Sequence, residues 1–480
     1  QVDPAIAMDG WSPAFVAALA ALPLATVGGG CAYIGHPKTT YLDHNNVILC
    51  LNNEGAARCQ ARCDSDNACA GYGAYYPLSN GRCCTKRLLK TPSPWPQGES
   101  FVKQRDPRAP PGSSCGPPAP PVPTNVSTIF RGNASWPYSK GAMAELMPDG
   151  TVVAALQAGP QEAAPSQRVL VASSADGGRT FSDFTVAVPS SGQPQWEPTL
   201  YFDKVSQRLL LFYTEGPAVV YVTVSKDGRA GTWSPRRMIW NGTAHGHPHV
   251  WVLNRIIVLA DGSWVLPCDF GCTRPTAAVA LLSSDGGETW APSGEVPLTD
   301  IAGCPEPAMA PLGGQTVVAV IRNVQTGLLT STSTDGGRTW SNATLANLNG
   351  AASKPSMVAV PDEAGSSALV LAYNIDTRLV MGLAISRDKG NTWVPWATVD
   401  NGVGLVATFY PTLLVDEANE QLITVYSATR AENVTSNKCP RLSSGATSPS
   451  NAGCFTDMRL ARSPFPSHVP TEKLFVAGEQ

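Results

Sequence analysis

The sequence predicts an all-β protein whose main domain is a β-propeller. The first observation is a short polar motif, SSDGGETW at residues 283–290, that recurs along the chain at intervals of 50 to 58 residues. Self-similarity at such a period indicates a repeat architecture. Runs such as RVLVASS and GLLTSTS precede copies of the motif and have the pattern of strands. The chain also contains 44 Gly and 42 Pro in 480 residues, which suits a loop-rich β protein.

Each copy of the motif predicts a self-capped turn between two strands. Serine and aspartate side chains accept hydrogen bonds from backbone N–H groups in turns, and glycine adopts backbone angles that other residues avoid. The aromatic residue at the end can pack beneath the turn. Strand pairs that recur at this period predict propeller blades. The motif aspartates, which we expect to be structural, are Asp176, Asp227, Asp285, Asp335 and Asp388.

The motif S-x-D-x-G-x-T-W resembles the Asp-box of sialidases and sialidase-like propellers. The resemblance implies six blades, which we expect within residues 125–480, with the segment FTDMRLARSPF closing the ring against the first strand. In that family the Asp-boxes lie on the rims of the blades, away from the active site. The motif therefore predicts the fold and not the substrate.

Residues 31–104 predict a small disulfide-stapled α+β domain. Cys59 and Cys63 are four positions apart and share a face of a predicted helix, and CAGYGAYY and CCTKRLL are predicted strands. This pattern resembles the PAN/apple domain, which implies bridges from helix to sheet, with Cys69 and Cys84 as further disulfide candidates, and a role in binding proteins or carbohydrates. A stapled domain without a partner is the alternative. The absence of a C-x2-C pair argues against zinc.

Two segments connect to this domain. Residues 1–30 include the apolar stretch 13–26, which no Lys or Arg precedes. We expect the mature chain to begin at Gln1, with this stretch packed on a domain or a neighbour, and we predict no membrane span. Residues 105–124 contain eight prolines and predict a semi-rigid linker.

Cysteines and sequons together predict a secreted, extracellular or cell-surface glycoprotein. Cys439 and Cys454 flank a Ser-, Gly- and Asn-rich insertion and are disulfide candidates, whereas Cys268, Cys272 and Cys304 leave one odd thiol. The net charge of −3 gives no electrostatic basis for nucleic-acid binding. The Asn-x-Ser/Thr sequons begin at Asn125, Asn133, Asn241, Asn342 and Asn433.

The resemblance to sialidases also implies an active site in the central channel. Glu306 and Arg322 keep the family's order of Glu, apolar run, Arg and Asp-box, and Arg378 precedes the next Asp-box. Tyr410 resembles the family's nucleophile, with Glu306 taking the phenol proton and the arginines binding the substrate carboxylate. A neutral phenol suits attack beside a negatively charged sugar, because a carboxylate nucleophile would be repelled.

The chain departs from the family at two positions. Lys140 stands near the place of the first arginine, and a lysine cannot make the bidentate contact of a guanidinium with a carboxylate. The acid/base aspartate expected after the first strand pair is missing, and that loop offers only Glu162. We therefore expect a glycosidase related to sialidases whose acidic-sugar site is altered.

Two further candidates for substrate binding are Glu197 and His247. Glu197 follows Trp196 at the start of a predicted strand. His245, His247 and His249 alternate in HGHPHVW. Alternating histidines can share a face and bind a metal, but we predict no metal and no cofactor, and favour His247 as a substrate contact.

The sequence therefore favours a secreted sialidase-like exo-glycoside hydrolase with a glycan or glycoprotein as its partner. A polysaccharide lyase on a uronic-acid glycan is one alternative, supported only by the histidines. A non-catalytic protein for assembly, adhesion or glycan binding is another. It would associate with itself or with a partner through the apple-like domain and the N-terminal segment.

Overall fold

The computed structural model describes five strands within residues 31–105 and then residues 125–431 and 454–465, apart from short internal gaps; side chains are described from residue 126 onward. The chain divides into two compact units, with the boundary near residue 120. The predicted helix with Cys59 and Cys63, the linker and the apolar N-terminal segment lie outside the described residues, so those domain limits stay predictions.

The first unit contains one five-stranded antiparallel sheet with the order β1-β5-β3-β4-β2. Its strands are β1 (Cys31–Thr40), β2 (Val47–Asn52), β3 (Gly71–Tyr75), β4 (Arg82–Lys86) and β5 (Ser93–Arg105). The predicted strands CAGYGAYY and CCTKRLL correspond to β3 and β4, which pair with each other.

The described residues of the second unit form six antiparallel sheets, the blades of a propeller. Blade one contains β7 (Tyr138–Leu146), β8 (Val152–Gly159), β9 (Arg168–Ser174) and β10 (Thr185–Val186). Blade two contains β11 (Gln195–Asp203), β12 (Arg208–Glu215), β13 (Val219–Val224) and β14 (Arg237–Asn241). Blade three contains β15 (Trp251–Val252), β16 (Ile257–Val258), β17 (Trp264–Asp269), β18 (Ala278–Ser283) and β19 (Ala291–Pro292).

The remaining blades follow the same plan. Blade four contains β20 (Pro307–Pro311), β21 (Val317–Ile321), β22 (Leu329–Ser333) and β23 (Thr344–Leu345). Blade five contains β24 (Ser356–Pro361), β25 (Ser367–Ile375), β26 (Val380–Ser386) and β27 (Val394–Asp400). Blade six contains β28 (Ala407–Asp416), β29 (Gln421–Ala431), β30 (Cys454–Pro464) and β6 (Asn125–Phe130). Two 3₁₀ turns, Thr243–His245 and Glu417–Asn419, are the described helical segments.

Blade six closes the ring. Its fourth strand is β6 from the start of the unit, which pairs antiparallel with β30. The first strands of blades six and one also contact each other. The apolar side chains of neighbouring blades pack together and form a separate core at each of five blade interfaces. Burial of these apolar side chains between neighbouring blades thus stabilises the ring.

The Asp-box turns follow the third strand of blades one to five. In blade three, Ser283 Oγ donates to Asp285 Oδ1 at 2.8 Å, and the Thr289 amide donates to the same oxygen at 2.9 Å. Asp176, Asp335 and Asp388 bond in the same way, whereas Asp227 accepts from Ser225 and from the Arg229 and Gly231 amides. Each aspartate therefore stabilises its own turn by accepting hydrogen bonds from residues of that turn.

Disulfides and sequons are described in part. Cys272 and Cys304 form a disulfide, Cys268 is a buried free thiol, and Cys454 is disulfide-bonded. Cys439 lies outside the described residues, as do Cys59, Cys63 and Cys69, and of the Cys84 side chain nothing is described. Asn133 and Asn342 are exposed and Asn241 is half-buried. Asn125 lies in β6 without a described side chain, and Asn433 is outside the described residues, so glycosylation stays a prediction.

Candidate active site

The candidate site lies at one end of the central channel. Because neighbouring strands are antiparallel, the first strand of each blade begins at the edge where the second strand ends. Glu306 precedes β20, Arg322 follows β21, and Tyr410 lies near the start of β28. Blades four and six thereby bring together three side chains that are distant in sequence.

The side chains of Tyr410, Glu306 and Arg322 form one hydrogen-bonded cluster. The Tyr410 hydroxyl donates to Glu306 Oε1 at 2.5 Å, and Arg322 Nη1 donates to the Tyr410 hydroxyl at 3.1 Å. Arg322 Nη1 also lies 2.7 Å from Glu306 Oε2. The three residues are only 2 %, 3 % and 6 % exposed for Tyr410, Glu306 and Arg322. Charge-assisted hydrogen bonds are strong in such a water-poor environment.

The surroundings set the protonation states of this cluster. Burial raises the pKa of the Tyr410 phenol, and the Glu306 carboxylate raises it further. Burial would raise the pKa of Glu306 too, but the positive charges of Arg322 and Lys140 outweigh burial and hold that pKa below its usual value. At neutral pH the cluster therefore pairs a neutral phenol with a carboxylate that can accept its proton.

The backbone is strained at two site residues. Tyr410 has φ 54° and Glu197 has φ 42°, values that favour glycine. Both lie in β-bulges of their first strands, β28 and β11, and a proline follows each, Pro411 and Pro198. Bulges and strained angles are concentrated at functional sites, where they direct a side chain away from its regular position.

Lys140 lies between two carboxylates. Its Nζ is 2.9 Å from Glu162 Oε1 and 3.1 Å from Glu197 Oε1, and lies 4.2 Å from the centroid of the Tyr410 ring. A Cβ at Gly141, which has φ 66°, would lie 2.8 Å from Glu197 Oε2, so only glycine leaves this carboxylate in place. Burial opposes ionisation of Glu162, but Lys140 outweighs burial and lowers the pKa of that carboxyl. The charge of Lys140 is thus compensated within the protein.

Arg378 lies on the blade-five side of the cluster. The centre of its guanidinium is 5.7 Å from the centroid of the Tyr410 ring. Its Nε and Nη2 donate to the Ala352 carbonyl at 3.0 Å and 2.6 Å. The structure therefore brings Tyr410, Glu306, Arg322, Arg378, Lys140 and Glu197 to one end of the channel.

Two residues of the site were missed by reasoning from the sequence. Lys354 is 1 % exposed, and its Nζ lies 5.9 Å from the centroid of the Tyr410 ring. Asp269, at the end of β17, is fully buried, and burial and the charge of Glu306 raise its pKa well above the usual value. A signal for Lys354 existed: it precedes Pro355, just as Glu306 and Tyr410 precede prolines. Asp269 has no comparable signal.

The three histidines stack on aromatic side chains. His247 stacks on Phe270 with ring centroids 3.8 Å apart, and His245 stacks on Trp240 at 4.0 Å. These contacts attach the loop between blades two and three to the aromatic side chains beneath it. Within the described part of the chain, no group of His, Cys, Asp and Glu is arranged to hold a metal ion. The same residues contain no helix long and apolar enough to cross a membrane.

Comparisons with known proteins agree with this architecture. Solved structures similar to the chain include Hadza microbial sialidase Hz136, 15% identical, covering 90% of this chain and 95% of that one with a TM-score of 0.56. NanB sialidase from Streptococcus pneumoniae is 11% identical, with coverages of 83% and 78% and a TM-score of 0.56. The intramolecular trans-sialidase from Ruminococcus gnavus is 13% identical, with coverages of 74% and 99% and a TM-score of 0.55. These likenesses establish a sialidase-like propeller fold.

At the level of sequence, no curated protein matches the chain significantly. The pattern of the BNR repeat-like domain matches residues 150–423, which is more than half of the chain and includes all five Asp-boxes. The chain therefore belongs to the BNR repeat-like domain family and has the fold of a sialidase-like six-bladed propeller.

Proposed function

We propose that the protein is an exo-acting glycoside hydrolase that cleaves a terminal acidic sugar with retention of configuration. The observation that carries the proposal is the 2.5 Å hydrogen bond from the Tyr410 hydroxyl to Glu306. A buried phenol bound to an ionised carboxylate is an activated nucleophile with its base in place. Arg322 supports it by donating to the same phenol oxygen.

The reaction has two steps. In the first, the Tyr410 oxygen bonds to the anomeric carbon, its proton passes to Glu306, and the bond from that carbon to the leaving oxygen breaks. Glu162, beside Lys140 and with a 36% exposed side chain, is the carboxyl group that can protonate the leaving oxygen; because Lys140 lowers its pKa, the protonated form that this step needs is populated only at acidic pH. In the second step, water gives a proton to Glu162 and its oxygen bonds to the anomeric carbon, the bond from that carbon to the Tyr410 oxygen breaks, and Tyr410 recovers its proton from Glu306.

The charges around Tyr410 support an acidic sugar bound in an altered way. Arg322 and Arg378 lie beside Tyr410 and can hold a carboxylate. Lys140 differs, because two carboxylates, Glu162 and Glu197, lie against it, whereas among the described residues Arg322 is paired with Glu306 alone. A ligand therefore meets cations from blades four and five and carboxylates from blades one and two. The latter suit sugar hydroxyls rather than a second acidic group.

A covalent trap tests the proposal. A 2,3-difluorinated nonulosonic acid carries a good leaving group and slows the second step, so it should leave a glycosyl adduct on Tyr410 that peptide mass spectrometry locates. Tyr426→Phe is a matched control, because the Tyr426 hydroxyl also donates to a buried carboxylate, that of Asp400, at 2.7 Å. An adduct on any other residue would exclude Tyr410 as the nucleophile. No adduct with this probe, together with no turnover of acidic aryl glycosides, would favour the non-catalytic glycan-binding alternative.

We further propose that the protein is a secreted glycoprotein whose first unit is a PAN/apple-like module. The five-stranded sheet of that unit, the Cys272–Cys304 disulfide and the exposed sequon residues support this. Peptide mapping should find Cys59 and Cys63 oxidised and Asn133 glycosylated. Free thiols at both cysteines would contradict the module.

A further inference from the structure

Prolines follow three site residues, and their carbonyl groups meet at one place. Pro307 follows Glu306, Pro355 follows Lys354, and Pro411 follows Tyr410. Asn254 Nδ2 donates to the Pro307 carbonyl at 2.8 Å and to the Pro355 carbonyl at 3.1 Å. Lys354 Nζ donates to the Pro411 carbonyl at 3.1 Å and lies 3.5 Å from Asn254 Oδ1. Two side chains thus connect blades three, four, five and six.

Lys354 is an unusual residue for this position. It is among the largest fully buried side chains, and within the described residues its ammonium hydrogen-bonds only to the neutral oxygens of Pro411 and Asn254. Burying an ammonium group without a paired carboxylate is costly, and an apolar side chain would fill the same volume without that cost. Packing alone therefore does not account for a lysine at this position.

We propose that Asn254 and Lys354 form a positioning hub that holds Glu306 and Tyr410 at hydrogen-bonding distance. The inference rests on the proposed glycosidase function. The hub's contacts with the Pro307 and Pro411 carbonyls are made to the residues directly after Glu306 and Tyr410, and a proline there has a fixed φ. A shift of a proline carbonyl therefore moves the preceding residue, and Tyr410 already has a strained φ of 54°.

The charge on Lys354 makes the hub sensitive to pH. Burial lowers the pKa of Lys354 to about 8, although the carboxylates of Glu197 and Glu306 oppose the change. Lys140 faces it from blade one and lowers its pKa further, and Tyr410 lies above it from blade six. Above that pH the neutral amine binds the Pro411 carbonyl more weakly, because charged donors make the stronger hydrogen bonds.

Variants at the hub test the proposal by the rate at which the difluorinated sugar labels Tyr410. Lys354→Met should slow labelling by about 100-fold, the effect expected of a misplacement near 1 Å, and should remove the fall in labelling rate above pH 8. Lys354→Arg should recover part of the rate. Asn254→Ala removes the other side chain of the hub and should also slow labelling. It tests the proposal even if Lys354→Met fails to fold. Asn347→Ala, which removes an asparagine bridging to the Trp393 backbone, should leave labelling unchanged.

Crystal structures separate failure of the hub from failure of the glycosidase proposal. Lys354→Met or Asn254→Ala should lengthen the distance from the Tyr410 hydroxyl to Glu306 even if no sugar reacts with the wild type. NMR of the Lys354 ammonium should show its titration near pH 8 without any substrate. A hub variant with wild-type labelling and an unchanged Tyr410–Glu306 distance would overturn the proposal.

Discussion

The Tyr410 hydroxyl donates a 2.5 Å hydrogen bond to Glu306 although 104 positions separate the two residues. The contact depends on the ring, because the two residues belong to blades six and four and meet only at the channel. Blade five lies between them and supplies Lys354 and Arg378 to the same end. Any change in the spacing of these blades therefore changes the distance between the Tyr410 hydroxyl and the Glu306 carboxylate.

Tyr410→Phe removes one oxygen and should abolish covalent labelling and glycoside turnover. The fold should persist, because the ring stays buried and only hydrogen bonds to Glu306 and Arg322 are lost. Turnover of acidic aryl glycosides and thermal unfolding check the two parts. Tyr426→Phe should keep turnover, and an active Tyr410→Phe variant would exclude this tyrosine as the nucleophile.

Glu162→Gln should separate the two steps of the reaction. Fluoride needs little protonation to leave, so labelling of Tyr410 by the difluorinated sugar should continue. Turnover of glycosides with poor leaving groups should fall by about 10²–10⁴-fold, the usual contribution of a general acid. Glu288→Gln, an exposed Asp-box position, serves as control. Equal losses in labelling and turnover would assign Glu162 to binding.

Arg322→Ala should shift the acid limb of the labelling rate to higher pH. In the wild type the charge of Arg322 is the main factor that offsets burial and lowers the pKa of Glu306. Without that charge the pKa rises, and Glu306 is ionised, and able to accept a proton, only at higher pH. Arg378→Ala should weaken binding of an acidic sugar relative to a matched neutral sugar but leave the limb in place. If Arg322→Ala also left the acid limb of the pH profile unchanged, Arg322 would not be the group that lowers the pKa of Glu306.

Asp335→Ala should lower the free energy of unfolding by about 1 kcal/mol, the usual net effect of losing hydrogen bonds in a partly exposed turn. The aspartate accepts from Ser333 Oγ at 2.8 Å and from the Thr339 amide at 2.8 Å. Urea denaturation measures the change, and the exposed Asp183 offers a matched alanine control. Lost labelling with unchanged stability would place this Asp-box in the active site instead.

Low pH should lower the stability of the propeller, because it protonates the Asp-box aspartates. Hydrogen bonds from Thr289 and Thr339 lower the pKa of Asp285 and Asp335 to about 2, against about 3.9 in an unfolded chain. A depressed carboxyl pKa contributes stability above the unfolded value, and that stability is lost as pH falls toward 2. The urea midpoint should therefore drop between about pH 4 and pH 2, and less so in Asp335→Asn. An equal drop in the variant would contradict this origin.

The blades were predictable because each Asp-box is stabilised by contacts within a few residues. The hydrogen bonds of one turn join residues that are close in sequence, as for Ser283, Asp285 and Thr289. The spacing of these residues is therefore visible in the sequence. The site was predictable only where family resemblance supplied positions, as for Tyr410 and Glu306. Lys354 and Asp269 acquire their importance from burial beside groups of other blades, which spacing along one chain does not encode.

Closure of the ring has a consequence for biosynthesis. The Ser127 hydroxyl donates to the Leu460 carbonyl across 333 positions, within the pairing of β6 with β30. At 5–20 residues per second, a newly made β6 waits roughly 15–65 s for its partner strand to be synthesised. During that interval an unpaired strand is open to pairing with the same segment of another nascent chain. Because β6 and β30 lie at opposite ends of the propeller sequence, the ring can close only after synthesis of the last strand.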